Sequence, residues 1–330
     1  MQLVNFAMVF AGFACLLSGS NGMAASNWKP ERNIEIIAGT NPGGAADRTA
    51  RTIQRIIQGQ KLIEVPAVVV NKPGAGGALG WVQISQRPGD GTQIAIATPP
   101  LVTNHITGRS KLHHSDLTPL AMLFGDYFPF VVRADSSIKT GKDLIAQLKQ
   151  DPASISIGVA SAGGANHISV GLVASKSGVD VRKLKVVVFN SGGDTLTALL
   201  GGHVQLVAAN PASAESMVKD GRARAIAVAS DQRLPGVYAA VPTWREQGVD
   251  AVLMSWRGVV GAPGLGASEI SYWEHVFRNM TKDVEWHADL AKNNWKESFM
   301  DSATTKRFLD SEYEVLKEVL TELNLINKKK

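Results

Sequence analysis

Ile34-Glu35-Ile36-Ile37-Ala38-Gly39-Thr40-Asn41-Pro42-Gly43-Gly44-Ala45-Ala46-Asp47 is a short apolar run that breaks into a glycine-rich turn and opens a helix. The same grammar returns at 155–167, 186–196 and 206–214. Alternating strand, small polar turn and helix points to an α/β protein with mainly parallel sheets flanked by helices. Ligands of such sheets bind beyond the carboxyl ends of the strands, where all these turns fall. A cleft lined by glycine-rich tips is therefore the expected site, and a small polar ligand its expected occupant.

Working outward, Asn41 reads as an N-cap with Pro42 at the first helical position, and Gly43-Gly44 as a means of bringing backbone amides close to a ligand. Asp47 complements the positive end of the helix and stands i, i+4 from Arg51. A second strand at 65–70 runs into Asn71-Lys72-Pro73-Gly74-Ala75-Gly76-Gly77. Gly74, Gly76 and Gly80 give G-x-G-x-x-x-G, which misses the dinucleotide spacing, so this turn reads as a close-packing device. The strand at 93–97 delivers Thr98-Pro99-Pro100, another polar tip. Asn210-Pro211 repeats the device of Asn41-Pro42, and Thr140-Gly141-Lys142-Asp143 has the form of a capping box.

A length of 330 residues suits two domains, each with its own core. Gly125-Asp126, between two apolar segments, marks the first crossing, and 234–252 the return. The expected organisation is a first domain of 26–125 plus 253–330 and a second of 126–252. From Ser268 onward Tyr272, Val276, Phe277, Trp286, Leu290, Phe308, Leu316, Val319, Leu320 and Leu323 recur at three and four, a helical stripe expected to cover the first sheet.

Composition excludes several classes. The net charge is +5, but Lys328, Lys329 and Lys330 supply three of those charges, leaving no basic face for nucleic acid. Residues 6–17 form an apolar run followed by small residues, so 1–25 reads as an export signal; the run is too short for a membrane span, and lipid anchoring is not expected. Cys15, the only cysteine, lies within it, so the mature chain has no thiol chemistry or disulfide. His113 and His114 are adjacent and so not on one helical face, which argues against a metal site beside His105. No cofactor is expected.

Helix starts leave several N–H groups without intrahelical partners and carry partial positive charge. Several aimed together hold an anion without any cation, and a carboxylate fits. No G-x-S-x-G elbow, H-E-x-x-H or Walker loop is present. Ser161, His167 and Asp194 each lie on a glycine-rich tip and form the one conceivable triad, for a secreted hydrolase or transferase; binding or packing is the favoured role for all three.

These motifs, in this order, are specific. Residues 34–325 resemble the extracytoplasmic substrate-binding proteins of tripartite tricarboxylate transporters, the Bug family. The resemblance rests on Asn41 to Asp47 with Arg51, on Asn71 to Gly77, on Ser161-Ala162-Gly163-Gly164-Ala165-Asn166-His167, on Gly192-Gly193-Asp194 followed by Leu199-Leu200-Gly201-Gly202-His203-Val204, and on Trp256-Arg257-Gly258. It implies a two-domain periplasmic-binding-protein clamshell of type II-like form with two crossovers, a non-enzymatic role, a periplasmic location, a carboxylate ligand and membrane permease subunits as partners. A receptor kinase that senses the closed form is the alternative partner. The implied ligand-binding set is Thr40, Asn41, Gly43, Gly44, Asp47, Thr98, Ser161, Gly164, Asn166, His167, Ser191, Gly192, Gly193, Asp194 and Asn210. Three departures stand out: Gly39-Thr40 in place of an apolar or aromatic residue, Phe189-Asn190-Ser191 in place of Tyr-Lys-Gly, and Arg257 in place of an aromatic. Arg257 is expected to face solvent.

Overall fold

A computed structural model describes residues 28–160, 162–189, 191–293 and 295–326. The expected export signal lies outside the described residues. Among those described, no helix is long and apolar enough to cross a membrane.

The chain opens with β1 (Ile34–Ala38), α1 (Ala45–Gly59), β2 (Ala67–Asn71), α2 (Ala78–Ser85), β3 (Gln93–Ala97), α3 (Pro100–Ile106) and the long strand β4 (Thr118–Tyr127). It continues through β5 (Pro129–Arg133), α4 (Gly141–Gln150), β6 (Ser156–Val159), α5 (Ala165–Lys176), β7 (Lys185–Val188), α6 (Gly192–Leu200), β8 (Leu206–Ala208), α7 (Pro211–Lys219) and β9 (Ala223–Val228). It closes with β10 (Met254–Gly261), α8 (Ala267–Met280), α9 (Val284–Lys292), β11 (Lys296–Met300) and α10 (Ser302–Glu322).

Two sheets result, in the orders β11-β4-β10-β3-β1-β2 and β7-β6-β8-β5-β9. Both are mixed, which corrects the expectation of mainly parallel sheets. β1, β2 and β3 run parallel, as do β6, β7 and β8, but β4, β10 and β11 join the first sheet antiparallel and β5 joins the second antiparallel to β8 and β9. The reason lies in the crossings. A strand that leaves one sheet to enter the other needs no helical return, so it is free of the handed crossover that makes neighbours parallel.

The periodicity of α1 explains its seat on the first sheet. Ile53, Ile56 and Ile57 are buried on one face while Arg48, Arg51 and Arg55 stay on the other. β3 is buried at every position, as expected of an inner strand covered on both faces. In the second sheet Ile157, Val159, Leu206 and Val207 are likewise buried beneath α5 and α6.

The sheets are joined by two passages that lie side by side. β4 passes into β5 through Phe128 alone. The return passage is tied to it, because Ala229 N donates to the Phe128 carbonyl at 3.0 Å and Leu253 N donates to the Ala229 carbonyl at 3.1 Å. A pair of hydrogen-bonded strands is a natural hinge, since a few backbone torsions there reorient whole sheets.

The last helix departs from expectation. α10 does lie on the first sheet, where Thr305 Oγ1 accepts from Met122 N at 2.8 Å, but it also reaches α5 of the second sheet. Leu323, just past the helix, packs so closely on α5 that a Cβ at Gly171 would stand 2.8 Å from it. The apolar stripe therefore has two customers: Phe308 meets Trp256 edge-on, while Leu323 and Leu325 turn towards α5 and Gly163.

Candidate functional site

The opening turn is locked by its own side chains. Gly43 adopts φ +81°, a left-handed conformation that glycine tolerates best, and Gly44 follows as the N-cap at φ −69°, ψ 167°. The helix thus begins at Ala45, three residues later than the Asn41-Pro42 reading placed it, and Asn41 is exposed in the turn. Asp47 explains the shift. Its carboxylate accepts from Gly43 N at 2.8 Å, from Asn71 Nδ2 at 2.9 Å and from Arg51 Nε at 3.0 Å, while Asp47 N donates to Thr40 Oγ1 at 3.3 Å. Burial works to raise the Asp47 carboxyl, but the hydrogen bonds from Arg51, Gly43 and Asn71 outweigh it and hold the group below the usual carboxylate range. With Gly43 N bound to Asp47 and Gly44 N bound to the Asn41 carbonyl, the N–H groups left without a partner among the described residues are those of Ala45 and Ala46.

The second domain-like half repeats this turn with different chemistry. Gly163 adopts φ +71° and Gly164, the N-cap of α5, has φ −74° and ψ 166°. Where Asp47 receives Gly43 N, His167 Nδ1 receives Gly163 N at 3.0 Å, and Ile168 N donates to the Gly164 carbonyl as Arg48 N does to Gly44. His167 is buried, and burial lowers its proton affinity. Accepting through Nδ1 fixes the neutral ring with its proton on Nε2. The Ala165 and Asn166 N–H groups are left without a partner among the described residues, while the Asn166 side chain accepts from His167 N at 3.0 Å.

Both turns open onto one cavity of about 340 Å³, which has a ligand-sized volume. Gly39, Thr40, Ala45 and Ala46 line it from the first sheet and Gly163, Gly164, Ala165 and Ile168 from the second. Trp81, Ile96, Pro99 and Pro100 give it apolar walls, and the Trp81 indole is held in place by donating to the Ile96 carbonyl at 3.0 Å. Of the residues expected at the site, the structure brings Thr40, Thr98 and Gly164 to the cavity wall. Asn41, Gly43, Gly44, Asp47, Asn166 and His167 are not on that wall but build the turns behind it. Ser161 lies outside the described residues. Ser191, Gly192, Gly193 and Asp194 form the exposed start of α6, outside the cavity lining, with Ser191 Oγ capping Asp194 N at 3.1 Å.

Sequence reasoning missed several wall residues. Gly76 and Gly77, read as a packing turn, do pack: a Cβ on Gly39 would stand 2.6 Å from Gly77 Cα. They also line the cavity. Arg257 is the larger omission. It does not extend into bulk solvent; it lines the cavity from β10, with Nη1 donating to the Trp256 carbonyl at 2.8 Å and to Ser255 O and Oγ at 3.3 Å. Desolvation lowers the guanidinium's proton affinity, and the negative field of Asp126 opposes this. Asp126, on β4, is buried, and burial raises its carboxyl against the pull of Arg257 and hydrogen bonds from Ser255 and Asn210. Asn210, expected to touch ligand, is outside the cavity lining and donates from the start of α7 to Asp126 on β4.

The remaining candidates form other structures. His105, His113 and His114 gather around Tyr313 of α10, with His105 Nδ1 3.0 Å from the Tyr313 hydroxyl and His114 Nε2 2.9 Å from Asp310. Among the described residues no group of three or more His, Cys, Asp or Glu is placed to hold a metal ion. Within the triad considered above, the His167 Nδ1 is committed to Gly163 N.

Comparisons with known proteins bear on this geometry. The profile of the tripartite tricarboxylate transporter family receptor matches residues 50–325. The chain is 28% identical over 310 residues to a UPF0065 protein in the gbd 5′ region of Cupriavidus necator, covering 94% of this chain and 93% of that one. A TctC solute binding protein from Polaromonas, solved without ligand, superposes with TM-score 0.81 at 26% identity, over 89% of this chain and 99% of that one. The R. palustris protein Rpa4515, solved with adipate, superposes with TM-score 0.69 at 22% identity, over 89% and 98%.

Proposed function

The chain belongs to the tripartite tricarboxylate transporter receptor family, and from that premise we propose that it is a periplasmic solute-binding protein that holds an organic carboxylate in the cavity between its two sheets. The observation that carries this reading is the convergence of two helix starts on one cavity. Ala45 and Ala46 from one side, and Ala165 and Asn166 from the other, have N–H groups without a partner among the described residues, and Ala45, Ala46 and Ala165 line the cavity. Two helix dipoles add their positive ends there. A hydrogen bond to a charged group contributes about 1.5–3 kcal/mol, so four at the upper end, about 12 kcal/mol, leave the ~8 kcal/mol of micromolar binding once about 4 kcal/mol for ordering and closure is subtracted. The apolar walls accommodate the hydrocarbon part of the ligand.

Binding and transport are linked by the geometry of the passages. A carboxylate gripped from both sides favours the arrangement in which the two helix starts face each other, and the paired strands at Phe128 and Ala229 are where the sheets would swing. The liganded form is then the one delivered to the permease subunits in the membrane. The Rpa4515 structure contains a carboxylate ligand, adipate, on the same fold. Thermal-shift screening of the purified protein against organic acids tests the reading. At a ligand concentration a hundred times Kd, stabilisation of about 2.7 kcal/mol is expected. Absence of any shift across aliphatic, hydroxy, aromatic and amino acids would sink it.

A further inference from the structure

The helix starts account for one carboxylate, but the cavity has a cation of its own. Arg257 stands in Met254-Ser255-Trp256-Arg257-Gly258-Val259-Val260-Gly261, a strand with no other charged residue and buried at every other position. β10 lies between β3 and β4, so an arginine on it has no free sheet edge at which to reach water. It emerges at the cavity.

Its hydrogen bonding is incomplete. Only Nη1 is engaged, by the Trp256 carbonyl and by Ser255 O and Oγ, so Nε and Nη2 have no partner among the described residues. Asp126 supplies a compensating field, yet its own oxygens are drawn to Asn210 and Ser255. Arg48 adds a like charge, since its field acts on Arg257 as well. The result is a cation with spare donors on the wall of a cavity that is also lined by the apolar Trp81, Ile96, Pro99 and Ile168. A planar guanidinium with open donors matches a carboxylate in both charge and shape. A neutral or monoanionic ligand would leave those donors and that charge unanswered in a partly desolvated place, at a cost in affinity.

We propose that Arg257 is the specificity-determining residue of the site, selecting ligands that carry a second carboxylate separated from the first by a short hydrocarbon spacer. This rests on the carboxylate-binding reading above. The first carboxylate takes the amides of Ala45, Ala46, Ala165 and Asn166, and the second takes Nε and Nη2 of Arg257. Ser255 and Trp256 position the guanidinium through Nη1.

Titration calorimetry with succinate, glutarate and adipate, each paired with its own half-amide, tests the assignment in the purified protein. The best diacid is expected to bind at least tenfold tighter than its half-amide. Arg257→Gln removes that preference, bringing diacid and half-amide within about twofold, by weakening the diacid and not the half-amide. Arg257→Lys, which retains charge but not the planar fork, keeps part of the preference and guards against a folding defect in the glutamine variant. Equal binding of diacid and half-amide by the wild type overturns the role of Arg257 and leaves the carboxylate reading standing. So does an Arg257→Gln variant that weakens both ligands equally. Failure of the wild type to bind acids of either class, or any other carboxylate, overturns both.

Discussion

Ala45→Pro removes a single N–H group from the heart of the site and changes little else. Proline is favoured at the first position of a helix, where its missing N–H has no intrahelical role. The residue before it must be extended, and Gly44 already is, at φ −69° and ψ 167°. Fold stability is therefore expected to stay within about 0.5 kcal/mol of wild type. Binding is another matter. Ala45 lines the cavity, and a hydrogen bond from its N–H to a carboxylate contributes about 1.5–3 kcal/mol, so Kd should rise roughly 10- to 150-fold. Ala165→Pro is the mirror experiment, since Gly164 has nearly the same torsions, φ −74° and ψ 166°. Calorimetry with the tightest-binding acid, alongside thermal unfolding of each variant, separates the two quantities. Wild-type affinity in a well-folded Ala45→Pro protein would refute the assignment of this amide, and an affinity loss matched by a loss of stability would reduce it to a folding effect.

Two further outcomes follow from the packing. Gly39→Ala sets a Cβ 2.6 Å from Gly77 Cα, backbone against backbone, so denaturant unfolding should register about 1–3 kcal/mol of destabilisation and ligand affinity should fall with it; an unchanged midpoint would mean the two turns part easily. Glu312 gives a pH dependence. Burial pushes its carboxyl up to about 7, only partly opposed by Trp256, and Oε1 is sealed from solvent without a partner. Its folded pKa exceeds the unfolded one, so the folded chain holds the extra proton between them. Its contribution to stability is greatest below pH 4.5, declines as pH rises towards 7 and is flat above. Glu312→Gln should flatten that segment of the melting-temperature profile and exceed wild-type stability at pH 8 by up to about 3 kcal/mol, at about 1.4 kcal/mol per pKa unit. Parallel pH profiles for the two proteins would contradict this.

Much of the fold was legible in the sequence because its signals are local. β3 spans the residues expected of it, and the capping box at Thr140 and Asp143 is formed. What a turn faces is not local. The α6 start has a Gly-Gly pair like those of the cavity turns, but β7, which leads to it, is the edge strand of its sheet, and its tip falls outside the cavity lining. The Asn41-Pro42 reading failed because hydrogen bonds from backbone amides to the Asp47 carboxylate and Thr40 Oγ1 hold the turn open for three more residues, a contest that propensity does not describe. Arg257 was misjudged for a related reason. A lone arginine on a strand defaults to solvent, but only sheet order reveals that β10 is internal. The straddling of α10 is likewise invisible to periodicity, which identifies an apolar face without naming what covers it.

The convergence of two helix starts on one carboxylate is the claim on which the rest depends, and it has a direct readout. In ¹⁵N–¹H correlation spectra recorded during titration with a bound carboxylate, the amides of Ala45, Ala46, Ala165 and Asn166 should shift together, with one common Kd and the large downfield proton displacements of new charged hydrogen bonds. Shifts confined to one helix start, or to residues away from both, would contradict it.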